Sequence, residues 1–472
     1  MALLAALTLV LATLTMQSRA TAEEAVDLRV EELNVTTSDG LRLPATLRVP
    51  VDAEPGLPGM VLVHGAGIGD RQFYAPEAEA FARSGMVTLT YDRRSVGYSL
   101  TERSYSQLAD DVAAAANVLR ERPEADPGQV GLWGLSEGGW VAPLAAAREP
   151  QTAFLVVVGA SGVPPLRQTG WAEANKAAHA GVDGSLVRAG SRTSWRLISG
   201  MGMFPQPYYD PVPVLRELML PVLGIWGAKD RVTPPVESMA VHRSALEEAG
   251  NRRYTLRAFA EAEHTLRVTA DGFDHLLRYT SRGLATDNFT PGYVDLVGSW
   301  VAQASVGQAP ATSVQGVGEQ DRPTAPVPPL AWWESTWMHA GALIVLLGGF
   351  GSFALSAPLR RIRGRGSRPA PWSARVLAVT GLLAVVGTLA YVASLVLGLS
   401  GGFLSPGLLL AGRPVPWVAL QVLAVAAAVS VTVTVVRSRR TVAAVGRIRF
   451  TLLATAGVAF VPWAAYWGLL LP

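Results

Sequence analysis

Residues 129–140 read Gln129-Val130-Gly131-Leu132-Trp133-Gly134-Leu135-Ser136-Glu137-Gly138-Gly139-Trp140. The compact apolar run Val130 to Trp133 meets a Gly-x-Ser-x-Gly turn, which opens directly into a helical stretch from Trp140 to Arg148. A serine on so sharp a strand-to-helix elbow requires Gly134 and Gly138 to be small, since a neighbouring Cβ would clash. With 47 Gly in the chain, about 0.3 chance matches to the pattern are expected, so the strand and helix around it give it its weight.

Outward from the elbow, further short runs recur, each bounded by Gly, Pro or Asp: Met60 to Val63, Met86 to Tyr91, Phe154 to Val158 and Val222 to Trp226. Buried parallel strands have this look. Leu41 to Val49 alternates as a half-exposed strand, and Tyr254 to Phe259 reads as the last strand. Between them lie helical patterns such as Tyr105 to Arg120, where Leu108, Val112, Ala115, Ala116 and Leu119 share a face. This alternation predicts an α/β fold over residues 23–303, a doubly wound and mostly parallel sheet. Residues 162–217 break the rhythm with Trp171, Trp195, Met201, Met203, Phe204, Tyr208 and Tyr209 among Gly and Pro, which predicts a partly helical cap insertion.

The rest of the chain has another character. The 472 residues hold 40 Lys and Arg against 37 Asp and Glu, half of them are apolar, and mean hydropathy is +0.27. No Asp, Glu or Lys follows Thr336, whereas 12 Arg do, so that part carries +12 and the part before it −9. The basic excess therefore does not mark a nucleic-acid-binding face. Four apolar runs, about 337–357, 376–399, 415–436 and 450–471, are long enough to cross a bilayer and make residues 333–472 an all-α transmembrane region. Their connecting loops hold five Arg (360–368), then Arg413 alone, then Arg437, Arg439, Arg440 and Arg447. That alternation places the first and third loops in the cytoplasm and the α/β domain outside, in a multi-pass protein of the cell membrane. Residues 1–22 read as a signal peptide, with an uncleaved signal anchor as the alternative, and 304–332 as a flexible linker. The spans lack carboxylates, which disfavours a pump, and the chain has no Cys, which excludes thiolate metal sites and a cysteine nucleophile.

A serine nucleophile needs a base. Of six histidines, His64 lies in a Gly-rich turn, His179 and His242 in helical patterns, His275 in a polar stretch and His339 at the membrane. His264 follows the strand Tyr254 to Phe259, which brings it to the carboxyl edge of the sheet, where the elbow also lies. Asp230, directly after Val222 to Trp226, can hold the imidazole's Nδ1 proton, with Glu261 and Glu263 as alternatives. The oxyanion hole is assigned to the backbone N–H groups of Glu137 and of Ala66 or Gly65, in the turn His64-Gly65-Ala66-Gly67.

The order Ser136, Asp230, His264, together with that turn, Tyr91-Asp92-Arg93-Arg94-Ser95-Val96-Gly97-Tyr98-Ser99 and Trp226-Gly227-Ala228-Lys229-Asp230, resembles the α/β-hydrolase superfamily. The branch is that of dienelactone hydrolases and prolyl-oligopeptidase-like or serine-aminopeptidase-like domains, although Ser95 stands where relatives carry Gly. The resemblance implies hydrolysis of carboxylic esters, or of amides in some relatives, through an acyl-enzyme, with no metal or organic cofactor. The expected substrate is a small acyl compound, with a lipid or peptide as variants, and membrane lipids surround the helices. An acyltransferase, a peptidase using Glu173 or Asp183 to bind an amine, and a non-enzymatic ligand-binding sensor are the alternatives.

Overall fold

The structure is a computed structural model that describes residues 26–67, 69–273, 288–308, 310–316, 320–362, 370–400 and 406–471. The expected signal peptide and His275 lie outside the described residues. Nine strands form one sheet in the order β1-β2-β4-β3-β5-β6-β7-β8-β9. They are β1 (Leu28–Thr36), β2 (Arg42–Pro50), β3 (Leu57–Val63), β4 (Val87–Tyr91), β5 (Ala125–Leu135), β6 (Leu155–Val158), β7 (Val222–Gly227), β8 (Tyr254–Phe259) and β9 (Ser313–Gln315). β1 and β2 are antiparallel to their neighbours, and from β4 to β9 every pairing is parallel.

The strands are apolar because both faces are covered. Val61, Val63, Leu155 and Val157 point to one face with helices α2 (Tyr105–Arg120), α3 (Gly138–Arg148) and α6 (Pro235–Glu248). Met60, Leu62, Val156 and Val158 point to the other, with α1 (Ala75–Arg83) and α7 (Tyr293–Ser305). Each such Val or Leu taken out of water stabilises the fold by roughly 1.5–3 kcal/mol. The Ser104 hydroxyl caps α2 by accepting from the Gln107 N–H at 3.3 Å, a contact of about 1 kcal/mol.

The insertion is helical as expected, with α4 (Pro165–His179), a π-helical turn at Ala189–Thr193 and α5 (Ser194–Gly200). Its packing differs from the expectation. Ala177, Val182, Leu186, Ala189 and Leu197 share a hydrophobic cluster with the C-terminal helices. Ser185 Oγ accepts a hydrogen bond from Trp417 Nε1 at 3.1 Å.

The stretch expected to be a flexible linker is instead tied down. It contributes β9 beside β8, and Trp171 Nε1 donates to the Arg322 carbonyl at 2.8 Å. Arg196 binds the Pro328 and Pro329 carbonyls at 3.1 and 3.2 Å and holds Glu334 through two bonds of 2.6 and 2.8 Å. Low apparent periodicity here reflects a strap held by isolated polar contacts, from backbone carbonyls and from side chains such as Asp321, Arg322 and Thr324, and not by a regular apolar face.

Four helices, Thr336–Ile362, Trp372–Ser400, Val415–Val436 and Arg447–Tyr466, follow, each containing a segment long and apolar enough to cross a membrane. The fourth ends five residues before the expected boundary at 471, because Trp467 to Leu470 form turns.

Candidate active site

Ser136 stands at the carboxyl end of β5 with φ of 56°, a left-handed backbone that a non-glycine residue adopts at a cost of about 1–3 kcal/mol. The surroundings hold it there. Its N–H donates to the Val158 carbonyl at 2.9 Å, and its own carbonyl accepts from the Gly139 N–H at 2.8 Å. Both glycines are required: a Cβ on Gly134 would overlap the Gly138 carbonyl, and one on Gly138 would stand 2.5 Å from the Val63 oxygen.

Asp230 lies in the turn after β7 and His264 in the loop after β8, and both side chains are buried. His264 Nδ1 donates to Asp230 Oδ2 at 2.8 Å, while Asp230 Oδ1 accepts from the Val232 and Thr233 N–H groups at 2.7 and 2.8 Å. Both carboxylate oxygens are thus held. Burial opposes protonation of His264, but the charge and hydrogen bond of Asp230, with Glu263 adding its field, outweigh it and raise its pKa above the ordinary value. The imidazole packs on Gly159, where a Cβ would come within 2.9 Å of Nδ1. Gly159 follows Val158, the partner of Ser136, so the base rests directly against the end of the elbow's own strand neighbour.

Across the elbow, the N–H of Glu137 and that of Ala66 donate to no acceptor among the described residues. The Gly65 N–H is spent on the Tyr74 hydroxyl at 2.7 Å, which removes Gly65 from the expected donors and leaves Ala66. The turn they share is shaped by Arg93. Its Nη1 donates to the Gly65 carbonyl at 2.7 Å, its Nη2 to the Gly67 carbonyl, and its guanidinium lies 3.7 Å over the Tyr98 ring. Glu137 is 2% exposed, and its carboxylate is bonded by Arg103 and by the Tyr98 hydroxyl at 2.8 Å, with Arg93 at 3.8 Å. One network therefore connects the two segments that present free N–H groups on either side of Ser136.

Residues 78–284 match the sequence model of the prolyl oligopeptidase family, a little under half of the chain. The sheet order and the family match together give the chain an α/β-hydrolase fold. Among curated relatives, a thiohydrolase of Arthrinium phaeospermum is 30% identical over 138 residues, 28% of this chain and 44% of that protein. A polyketide transferase of Penicillium crustosum is 34% identical over 106 residues, 22% of this chain and 32% of that one. The match thus spans less than half the length of either relative. Among solved structures, a dienelactone hydrolase from Anabaena variabilis superposes with a TM-score of 0.35 at 16% identity, covering 59% of this chain and 98% of that one.

Within the hydrolase domain, the remaining described histidines have other employment. His64 is buried edge-on between Tyr74 and Tyr91, and burial, with the Arg93 charge behind it, pushes its pKa down to about 3. It supports the turn as a neutral ring. His242 is buried in α6 against Trp226 with its pKa pushed by burial down to about 4, and His179 stacks on Phe273 at 4.0 Å. Glu261 pairs with Lys229 at 2.5 Å, and Glu263 binds the Thr265 hydroxyl and the Arg267 N–H, so Asp230 is the carboxylate at Nδ1. Tyr74 and Arg103 went unnoticed in the sequence, where no motif contains them. Arg93 and Tyr98 sat inside the quoted Tyr91-to-Ser99 segment, but only the fold shows what they reach.

Proposed function

We propose that this hydrolase is anchored in the membrane and cleaves carboxylic esters through an acyl-enzyme on Ser136. The observation that carries the reading is the buried His264–Asp230 pair set against Gly159, beside an elbow that holds Ser136 in a left-handed conformation. Ser136 Oγ attacks the acyl carbonyl as His264 Nε2 takes its proton; the same proton then goes to the leaving alcohol, and water repeats the sequence to release the acid. Asp230 keeps the Nδ1 proton in place and stabilises the imidazolium. The Glu137 and Ala66 N–H groups receive the oxyanion.

Several features favour an ester over an amide. Of the two acids considered for binding a substrate amine, Glu173 is paired with Lys176 at 3.0 Å, and Asp183 sits beside Gly412 at the junction with the apolar helices. The similarity to a thiohydrolase and to a polyketide transferase points to acyl groups carried on oxygen or sulfur, and the second of these supports acyl transfer as the other reading. The arginine-rich first and third loops favour a multi-pass arrangement with the hydrolase domain on the extracytoplasmic side.

Because the cap packs on the helices, the test uses the full chain in detergent micelles. A fluorophosphonate probe should label Ser136, as mapped by peptide mass spectrometry, and the label should disappear in His264→Ala. A folded wild-type protein that takes no label would overturn the reading. Supplying an acceptor alcohol with an activated ester separates hydrolysis from transfer by the product formed.

A further inference from the structure

The cap helix α5 and the apolar helices line an open cavity of about 500 Å³ at the end of the bundle that bears the hydrolase domain. Leu197, Ile198 and Met201 of α5 form one side, and Leu343, Ala393 and Trp463 from the first, second and fourth spans form the other. The lining is almost wholly apolar. Of its few polar atoms, Ser194 Oγ donates to the Ala189 carbonyl at 2.7 Å and His339 Nδ1 lies 3.2 Å from the Ser335 carbonyl, while the Trp467 indole N–H is buried without an acceptor among the described residues. Beyond that indole N–H and the Thr336 hydroxyl, water or a polar ligand would find little there to bond.

The depth of the cavity identifies what surrounds it. Trp332 and Trp337 are 78% and 85% exposed just before and at the start of the first span, and tryptophans so placed mark the headgroup level of a bilayer. Leu343 comes six residues after Trp337 in the same helix, roughly 9 Å further along its axis. The cavity thus opens at headgroup level, where Thr336 lines it, and runs past Leu343 to the depth of the acyl chains, and Met201 at its edge is 53% exposed.

We propose that this cavity binds one acyl chain of a lipid drawn from the leaflet facing the hydrolase domain, gripped between α5 and the first, second and fourth spans. The site rests on the membrane reading above and not on the chemistry of Ser136. It makes a lipid chain part of the seat of the cap, so that bilayer composition acts on the segment overlying the sheet.

The test uses full-length protein carrying Ser136→Ala, which keeps hydrolysis out of the result, in phosphatidylcholine vesicles doped with a phosphatidylcholine bearing a diazirine in the upper part of one acyl chain. Val422 and Val458, exposed on the third and fourth spans, report general lipid contact. After irradiation, residues 194–201 should be labelled ~5-fold or more above those two positions, a preference of about 1 kcal/mol. Ala393→Trp, which fills the cavity, should remove that preference while leaving Val422 and Val458 labelled. Leu343→Trp repeats the test from the opposite wall should the first variant fail to fold. Labelling of 194–201 that is no stronger than at the reporters, or that both filling variants leave unchanged, would overturn the site. Absence of label at Val422 and Val458 as well would overturn the membrane reading and the site with it, whereas the fluorophosphonate result on Ser136 stands apart from both.

Discussion

The hydrolase domain and the four apolar helices are both built on buried aliphatic and aromatic side chains, yet they treat charge in opposite ways. The domain buries charged groups at the functional edge of its sheet and gives each a fixed partner: Arg94 with Asp111 at 2.6 Å, Glu137 with Arg103, Asp230 with His264. Among the described residues of the spans, the buried polar side chains are hydroxyls such as Thr388, Ser430 and Thr434, and fewer than half of the residues in each span are buried at all. Burying an ion costs several kcal/mol unless geometry returns it. A sheet edge, with strands in fixed register, supplies that geometry; helices built to face hydrocarbon would do without it. The site's chemistry is concentrated where charges could be held rigidly, and the apolar helices contribute a setting for the cap.

Removing one such partner should give the largest effect. Asp230→Asn keeps the shape of the turn but lets His264 take the wrong tautomer, and kcat/KM toward a soluble ester should fall by ~10⁴-fold. The residual activity carries a second signature. In the wild type, Asp230 helps hold the His264 pKa above its ordinary value, and because the protonated ring cannot act as base, activity is lost as pH falls through that raised value. In the variant this acid limb should move to lower pH, and an unmoved limb would break the assignment.

Next comes the clamp on the oxyanion turn. Arg93→Gln should lower kcat by ~10²–10³-fold with KM little changed, because the Ala66 N–H drifts from its place only once the Gly65 and Gly67 carbonyls lose their common donor. Arg93→Lys should recover only part, since a point charge cannot bridge two carbonyls as a guanidinium fork does. Steady-state kinetics on both variants decide it; a change in KM alone would assign Arg93 to substrate binding.

Acid should separate the two regions. His64 and His242 stay neutral in the fold with pKa values down to about 3 and about 4, so below the unfolded value near 6.5 the unfolded chain binds more protons. Stability should then fall by roughly 1.4 kcal/mol per pH unit for each, as pH drops toward those values. His264 has the opposite sign, its contribution being present at low pH and lost as pH rises through its raised pKa. Denaturant midpoints of the domain at pH 7 and pH 5, with His242→Leu flattening the difference, test this. The spans, which contain no carboxylate, should keep their helical signal over the same range.

The smallest effect lies at the junction of the two regions. Ser185→Ala removes the acceptor of the Trp417 indole N–H and should cost about 1 kcal/mol, read as a lower melting temperature. Unchanged melting would mean that apolar packing alone seats the cap.

Much of this was visible in the sequence, for identifiable reasons. The central strands showed because both faces are buried, and the elbow because its glycines cannot be replaced. β1 did not show: it is an edge strand with Val35 as its one fully buried side chain, and Arg29, Glu31 and Glu32 stand among its other eight residues. β9 is three residues long and is held by pairing with β8, which composition does not report. Ser136, Asp230 and His264 could be proposed from their order along the chain. The Tyr74 hydroxyl that takes the Gly65 N–H comes from a short 3-10 turn, and the Arg103 that neutralises Glu137 from a loop, and only the folded chain defines their positions. The aromatic residues of the insertion marked it as a cap, but not what they touch: Trp171 bonds the strap and Tyr209 packs edge-on against Tyr105.

The strap from β9 to the first span, pinned by Arg196 and Glu334, also bears on how the enzyme would meet its substrate. A catalytic domain on a loose tether samples a volume of solution, and its turnover follows bulk concentration. One bonded down along its cap would keep a constant height and tilt over a single leaflet, so encounters become a two-dimensional search. Its rate would then follow the mole fraction of substrate in the surface, and diluting that surface with inert lipid would slow it even with the total amount of substrate unchanged.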